Sequence, residues 1–207
     1  MDAAKIRLSA KEMGMVRSTD LILTKNAILQ KTKELLGELK LKYDKVLQVV
    51  SLTLDPSSAK ISRGENYKGL PWVILDHPRF FSNSNILAVR TMFWWGNFFS
   101  ITLHLAGEPK KAAEQKIIDA YKKLKKGGYR ICVNKEQWQH DTGKKNYRSL
   151  EKLSKEEFAN IVQSKPFLKL VNTVSLKKWE RAQQPLLECF EELVRLAAIE
   201  KNEGFQK

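Results

Sequence analysis

The stretch that most constrains the fold of this chain is residues 86–105, in which two apolar segments flank a Gly-Asn pair. Both segments are rich in aromatic and β-branched side chains, which favour the pleated, half-buried surface of a β-strand. Glycine followed by asparagine in a two-residue loop is typical of a type II′ turn, because glycine tolerates positive φ at the first loop position. The sequence therefore predicts a β-hairpin with strands at 86–95 and 98–105 and a turn at Gly96 and Asn97.

A two-residue turn fixes which side chains share a face, because side chains alternate along a strand and Trp94 would lie opposite Phe99. One predicted face is apolar enough to form the floor of a core, and it contains Ala88, Arg90, Met92, Trp94, Phe99, Ile101, Leu103 and Leu105. The other predicted face is mixed, and it contains Val89, Thr91, Phe93, Trp95, Phe98, Ser100, Thr102 and His104. We expect the mixed face either to line a pocket or to pack beneath a helix. A shift of the turn by one residue would exchange the two faces.

Arg90 is the one charged side chain on the predicted apolar face. Its guanidinium needs a partner, because an isolated buried charge is very costly. A carboxylate from Asp76 or Glu65 is the structural interpretation, and a bound anionic ligand is the functional alternative. We also expect Asp76 to cap the turn at Pro78 and Arg79 to pair with an acid.

Helical patterns lie on both sides of the hairpin. Capping boxes that open helices begin at Ser9 and at Ser154, each followed by glutamate three residues later. Apolar residues at helical spacing from Ile28 to Val50 predict a long amphipathic helix that begins near Asp20 or Thr24. The segment 54–58 should end it.

Further strands are predicted at 71–76 and 129–134, and further helices begin near Pro109 and Pro185. The helices bracket the strands instead of alternating with them, which favours the α+β class. We therefore predict a single α+β domain over residues 1–207. Its antiparallel sheet of about four strands is built on the central hairpin and covered by the long N-terminal helix and the C-terminal helices.

Two stretches are less regular. Residues 138–149 contain few apolar side chains and are predicted to form an exposed, mobile loop. Residues 166–174 have apolar side chains at helical spacing, although a strand remains an open alternative.

The chain is strongly basic, with a formal net charge of +14. The excess of lysine and arginine is concentrated between Glu108 and Arg148, and such a field attracts polyanions. Most of these residues are lysines interspersed with acids on helical segments, which is typical of a solvated face. Nucleic-acid binding is therefore possible but not favoured.

The sequence predicts a soluble, cytoplasmic protein. Met1–Lys5 lacks the apolar core of a signal peptide, and no run approaches the ~20 apolar residues of a membrane span. Cys132 and Cys189 have no CxxC spacing, which indicates reduced thiols instead of a disulfide framework.

Four segments carry a resemblance to a known family. They are Glu65-Asn66-Tyr67, Gly69-Leu70-Pro71, Asp76-His77-Pro78-Arg79 and Arg90-Thr91-Met92-Phe93-Trp94-Trp95-Gly96-Asn97-Phe98-Phe99. Over about residues 60–106 the chain resembles an uncharacterised family of bacterial proteins found chiefly in Bacteroidetes. The resemblance implies a cytoplasmic bacterial protein. Because no activity is attached to the family, it implies no catalytic residue.

No local motif predicts a cofactor or a metal. The three histidines, His77, His104 and His140, lack HxH or HExxH spacing, and no GxSxG, GxGxxG or Walker A pattern occurs. We therefore predict no cofactor and no metal site, and whether the protein is an enzyme stays open.

Three function hypotheses follow. The first is a non-enzymatic module that binds a small ligand or a protein partner through an aromatic hairpin face. Its candidate binding residues are Arg63, Asn66, Tyr67, His77, Arg79, Arg90, Trp95 and His104. The second is a basic nucleic-acid-binding protein, and the third is an enzyme. The enzyme's site would be assembled around Arg63, Asn66, Asp76, His77, Arg90 and His104.

Overall fold

A computed structural model describes residues 6–53 and 58–198 of the chain. Its helices are α1 (Ala10–Val16), α2 (Thr19–Leu47), α3 (Glu108–Asp119), α4 (Tyr121–Lys126), α5 (Lys155–Ser164) and α6 (Gln183–Ala197). Its strands are β1 (Lys60–Tyr67), β2 (Leu70–Phe81), β3 (Ile86–Trp94), β4 (Phe98–Ala106), β5 (Arg130–Cys132), β6 (Tyr147–Ser149) and β7 (Phe167–Ser175). The predicted end of the long helix at 54–58 is wrong, because α2 ends at Leu47 with Gln48 as its C-cap. Met1–Lys5, in which no signal peptide is predicted, lie outside the described residues.

The α+β class is confirmed, but the predicted count of four strands is wrong. A single sheet contains seven strands in the order β1-β2-β3-β4-β7-β5-β6, and every neighbouring pair is antiparallel. Sequence analysis missed β1 and β6 because the first is polar and glycine-containing and the second has only three residues. The open alternative at 166–174 resolves as a strand, since β4 and β5 provide pairing partners that helical spacing could not reveal.

The hairpin loop is one residue longer than predicted. Trp95, Gly96 and Asn97 form the loop, so Trp94 pairs with Phe98 instead of Phe99. The Asn97 N–H donates to the Trp94 carbonyl at 3.0 Å. Gly96 has φ of 70°, the positive value that a type II turn requires at its third residue.

The one-residue shift makes the predicted face assignments wrong for β3. Val89 and Phe93, predicted on the mixed face, belong to the main core together with Phe99 and Ile101 of β4. Helices α2, α3 and α6 pack on this side of the sheet. The opposite face, which we call the open face, contains Ala88, Arg90, Met92 and Trp94 of β3 and Phe98, Ser100, Thr102 and His104 of β4.

Strand β2 continues through the predicted break at His77-Pro78-Arg79. The register between β2 and β3 shifts after Asp76, which indicates a β-bulge at His77 and Pro78. Pairing resumes at Arg79, so the strand reaches Phe81. A bulge therefore replaces the predicted turn.

Helix α2 begins at Thr19 and is capped by the Ser18 side chain, one residue before the earlier of the two predicted starts. Its buried stripe is Leu29, Thr32, Leu36, Leu39 and Tyr43. The Tyr43 hydroxyl lies 3.1 Å from Thr91 Oγ1 of β3, a buried polar contact between the helix and the sheet. Both predicted capping boxes, at Ser9 and at Ser154, are present. Over residues 6–53 and 58–198, no helix is both long and apolar enough to span a bilayer.

Candidate polar site beneath residues 133–146

Residues 133–146, which we call the cover segment, run from β5 across the open face of the sheet to β6. Most of this segment falls in the stretch 138–149 that was predicted to be an exposed, mobile loop, and the predicted exposure is wrong for part of it. Gln139, His140 and Asp141 are partly buried and Asn146 is buried, whereas Lys144 remains exposed. The cover segment is polar because its contacts are hydrogen bonds to side chains of the sheet.

Tyr67, at the end of β1, holds the centre of the cover segment. Its hydroxyl oxygen accepts hydrogen bonds from the backbone N–H groups of His140 at 2.7 Å and of Asp141 at 3.0 Å. The neighbouring Lys68 ammonium binds the Asp141 carboxylate at 2.7 Å. The β1–β2 turn therefore anchors the segment through three contacts.

Arg90 has the carboxylate partner that its position demanded. Its Nε and Nη2 atoms donate to the two oxygens of Asp76 at 2.7 and 2.9 Å, a bidentate pair. Of the two carboxylates considered, the structure selects Asp76, and the expectation that Asp76 caps the Pro78 turn is wrong. The remaining Nη1 donates to Nε2 of His140 at 2.9 Å, which requires that nitrogen to carry no proton.

Lys169 of β7 is the most buried cation of the site, with 1% of its surface exposed. Its ammonium donates to the backbone carbonyls of Gln137 at 2.8 Å and Gln139 at 2.6 Å. It also lies 5.7 Å from the centre of the Tyr147 ring. Burial, followed by repulsion from Arg90, lowers the pKa of Lys169 to about 8.

His104 lies between aromatic rings at the other end of the site. Its Nε2 atom is 3.1 Å from Oε1 of Gln137, and its ring centre is 5.5 Å from that of Trp138 and 6.0 Å from that of Phe167. Burial, followed by the charge of Lys169, lowers the pKa of His104 to about 3. Burial and the charge of Arg90 lower the pKa of His140 to about 2. Both imidazoles are therefore neutral near pH 7.

A cavity of about 430 Å³ lies next to the site, and its lining includes Gln137, Trp138 and Phe167 but not His104 or Lys169. Its walls include the aromatic rings of Phe81, Trp138 and Phe167 together with Gln137 and the serine- and asparagine-containing turn at 82–84. Gln137 lines the cavity and also contacts the site. Its backbone carbonyl accepts from Lys169, and its side chain contacts His104. Gln137 therefore separates the cavity from Lys169 and His104.

The structure gathers only some of the residues proposed from sequence. Tyr67, Asp76, Arg90 and His104 meet at the site. His77 lies on the helix-covered side, where its Nε2 atom is 2.8 Å from Asp44 of α2. Burial lowers the pKa of His77, against the opposing effect of Asp44.

The other proposed residues also lie elsewhere. Arg79 donates to the Ser58 carbonyl at 3.4 Å, and it has no acidic partner within residues 6–53 and 58–198. Asn66 stabilises the β1–β2 turn by accepting from the Gly69 N–H at 3.0 Å. Arg63 is exposed on β1, opposite Val73 of the helix-facing side, and Trp95 contacts Phe93 there. The six residues of the enzyme hypothesis are therefore not assembled into one site.

Sequence reasoning missed His140 and Lys169 as site residues. Lys169 lies in an apolar run, Phe167-Leu168-Lys169-Leu170-Val171, and a lone charge within a strand-like run was the signal that could have singled it out. His140 gave no such signal, because its neighbours are polar. Across residues 6–53 and 58–198, no group of three or more His, Cys, Asp or Glu side chains is placed to hold a metal ion.

Comparisons of this chain with protein-family models, with curated proteins and with solved structures found no match. The resemblance of residues 60–106 to a bacterial family therefore stays a prediction. The evidence that bears on function is the geometry of the site.

Proposed function

We propose that this protein is a non-enzymatic binding module for a small aromatic carboxylate, which enters between the cover segment and the open face of the hairpin. The observation that carries the proposal is the environment of Lys169. Within the described residues its ammonium contacts backbone carbonyls and no carboxylate. A buried cation without a counter-ion is costly, so a ligand carboxylate would relieve an existing penalty.

The charge balance of the cluster points to an anion. Asp76 already neutralises Arg90 through two hydrogen bonds, which leaves Lys169 as the excess positive charge. A carboxylate beside Lys169 would replace the Gln137 carbonyl as its acceptor. The hydrogen bond from the ammonium to the carbonyl is already charge-assisted, so the gain from a carboxylate is the opposite charge that it places next to a buried cation.

The cavity accounts for the aromatic part of the ligand. Its volume of about 430 Å³ falls in the range of small-molecule pockets. Trp138 and Phe167 provide ring faces on which a planar ligand can pack, next to the neutral imidazole of His104. An aromatic ring in the cavity would place its carboxylate toward Lys169.

The experiment compares benzoate with benzamide, which has nearly the same shape but no charge. Titrations followed by isothermal calorimetry and by NMR shifts of the Trp138 indole should give a benzoate Kd of about 1 mM, equivalent to about 4 kcal/mol. Benzamide should bind at least about tenfold more weakly, because it leaves the Lys169 charge unpaired.

Variants distinguish benzoate binding at this site from nonspecific attraction by the net positive charge of the chain. Lys169→Met should weaken benzoate binding at least about tenfold, and Trp138→Ala should do so without touching a buried group. Lys135→Met, at an exposed lysine of the cover segment, is the control and should bind like the parent. Equal binding of benzoate and benzamide, or an unchanged affinity in both Lys169→Met and Trp138→Ala, would refute the proposal.

The nucleic-acid alternative has less support from the distribution of charge. Lysines of α3 and α4 lie on the helix-covered side of the sheet, whereas Lys135, Lys144 and Lys145 belong to the cover segment on the other side. A basic stripe that follows a phosphate backbone needs its cations on one surface. A DNA affinity that falls steeply with salt and exceeds that for benzoate would favour the alternative.

A further inference from the structure

Exposed apolar side chains are concentrated at the N-terminal end of the described chain. Of the large apolar residues that are exposed in the described residues, the majority lie between positions 6 and 23: Ile6, Leu8, Met13, Met15, Val16, Leu21, Ile22 and Leu23. Scattered single apolar residues on a surface are normal, but a contiguous group marks an interaction surface. Helix α1 buries none of its residues against the rest of the chain.

Three of these residues, Met15, Leu21 and Ile22, line an apolar groove, which we call the N-terminal groove. It has a volume of about 640 Å³ and runs between the first turns of α2 and the tip of the hairpin. Its lining includes Met15, Leu21, Ile22 and Ile28 from the helices and Leu70, Pro71 and Trp95 from the sheet. Its lining contains no residue of the cover segment or of the cavity described above, so mutations of the groove and of that site can be tested separately.

The N-terminal groove continues the packing surface of α2. Leu21 and Ile22 precede Leu29 by eight and seven residues, which places all three on the same helical stripe. Leu29 is 2% exposed because the sheet covers it, whereas Leu21 is 42% and Ile22 50% exposed. The stripe therefore extends past the sheet, where the described part of the chain has no element to pack on it.

We propose that the N-terminal groove binds an amphipathic helix of an acidic partner protein. A helix would complete the layer that α2 leaves unfinished, in the helix-in-groove mode of recognition. The lining contains one acid, Asp20, and one base, Lys25, so the complementarity comes from the net charge of +14, to which Lys11 of α1 and Arg17 at its C-terminal end contribute. This charge complements acidic residues that flank the apolar stripe of such a helix.

Two other occupants fit less well. A second copy of this chain would bring a further charge of +14 to the interface, which opposes association. A bilayer would cover the outward residues Val16 and Leu23 but would not fill a groove whose wall is formed by Pro71 and Trp95. Methionine at position 15 suits a surface that adapts to an inserted side chain.

The test uses the full chain and two fluorescein-labelled helical peptides with the same leucine stripe, one with glutamates and the other with lysines on the polar face. Fluorescence anisotropy should show at least about tenfold tighter binding of the acidic peptide. Leu21→Glu should weaken that binding at least about tenfold, and Trp95→Ala should weaken it in the same direction. The matched control is Leu41→Glu, at a residue of α2 that is 61% exposed and lies outside the groove.

Several results would overturn the proposal that the groove binds an acidic helix. Equal affinity for both peptides, or equal effects of Leu21→Glu and Leu41→Glu, would overturn the proposal. So would dimerisation that Leu21→Glu abolishes, measured by light scattering, because the groove would then bind a second copy. Cosedimentation with vesicles of phosphatidylglycerol and phosphatidylcholine, lost in Leu21→Glu while the acidic peptide does not bind, would assign the groove to a membrane surface instead.

Discussion

His140 is largely buried and accepts a hydrogen bond from the Arg90 guanidinium, and burial together with that positive charge opposes protonation of its ring. Its pKa falls from an ordinary 6.5 to about 2, and that of His104 falls to about 3. Between pH 6.5 and these values the unfolded chain binds protons that the folded protein does not. Stability should therefore decrease as the pH falls below 6.5, by about 1.4 kcal/mol per pH unit for each histidine.

Urea unfolding between pH 7 and pH 4 measures this effect. The variant His140→Gln retains an acceptor for Arg90 but cannot titrate. Its free energy of unfolding should therefore fall with decreasing pH along a slope that is smaller than that of the parent protein by about 1.4 kcal/mol per pH unit. Identical slopes in the variant and the parent protein would show that the imidazole is not held neutral.

The Asp76–Arg90 pair allows a second test of a single contact. Asp76→Asn removes the charge that balances a largely buried guanidinium, and should lower the free energy of unfolding by about 3 kcal/mol. Glu65→Gln is the comparison, since Glu65 binds Lys25 at an exposed position and should cost about 1 kcal/mol or less. Similar losses measured by chemical denaturation would mean that the buried pair contributes no more than a surface pair.

The hairpin loop is the element whose conformation decides which side chains face the helices. An added Cβ at Gly96 or at Gly37 has no atom within 4 Å, so only backbone conformation distinguishes the two positions. Gly96→Ala should lower the free energy of unfolding by about 1 kcal/mol because of its positive φ, whereas Gly37→Ala within α2 should raise it by up to about 1 kcal/mol. Thermal unfolding of both variants measures this, and a shift of the same sign in both would contradict it.

The cover segment can be tested through its tyrosine anchor. Tyr67→Phe removes the acceptor of two backbone N–H groups and should speed hydrogen exchange of residues 139–142 about tenfold, equivalent to about 1.4 kcal/mol. Tyr129→Phe is the matched control, because in the described residues the buried Tyr129 hydroxyl has no hydrogen-bond partner. Removing that hydroxyl should leave stability unchanged or slightly higher, and equal effects of the two variants would contradict the anchoring role.

The elements were predictable from sequence to the extent that local patterns determine them. The hairpin, the capping box at Ser154 and the α+β class follow from turn chemistry and periodicity. The register did not follow, because a loop of two or three residues is consistent with the same Gly-Asn pair. The polar strand β1 and the cover segment depend on partners distant in sequence, such as Tyr67 for His140, and no local pattern specifies them.

The candidate site was predictable only at Arg90, because a charged side chain in an apolar strand requires a partner of opposite charge. Arg90 in an apolar strand required a carboxylate, and Asp76 provides it. Lys169 and His140 reach the same place from β7 and the cover segment, through pairings that a single sequence does not encode locally. The predicted position of Trp95 was wrong because the hairpin register is shifted by one residue. The predicted position of His77 was wrong because a bulge replaces the predicted turn.

At the scale of the whole molecule, the net charge of +14 attracts any anion, so a selective site must respond differently from the overall field. Lys169 loses its proton near pH 8, whereas ordinary lysines keep theirs until about pH 10. Benzoate affinity should therefore stay constant from pH 6.5 to 7.5 and fall several-fold by pH 9. Calorimetric titrations across this range check it, and a constant affinity would indicate attraction by the field alone.

The two faces of the sheet are covered very unequally, by three helices on one side and by a single polar segment on the other. Partial denaturation would detach the segment first, while α2, α3 and α6 remain packed. The open face, which includes the apolar Met92, Trp94 and Phe98, would then lose its cover over Arg90, His104 and Lys169 while the sheet is still folded. Proteolytic cleavage between residues 137 and 145 would have the same result, and the nicked protein would self-associate through that face.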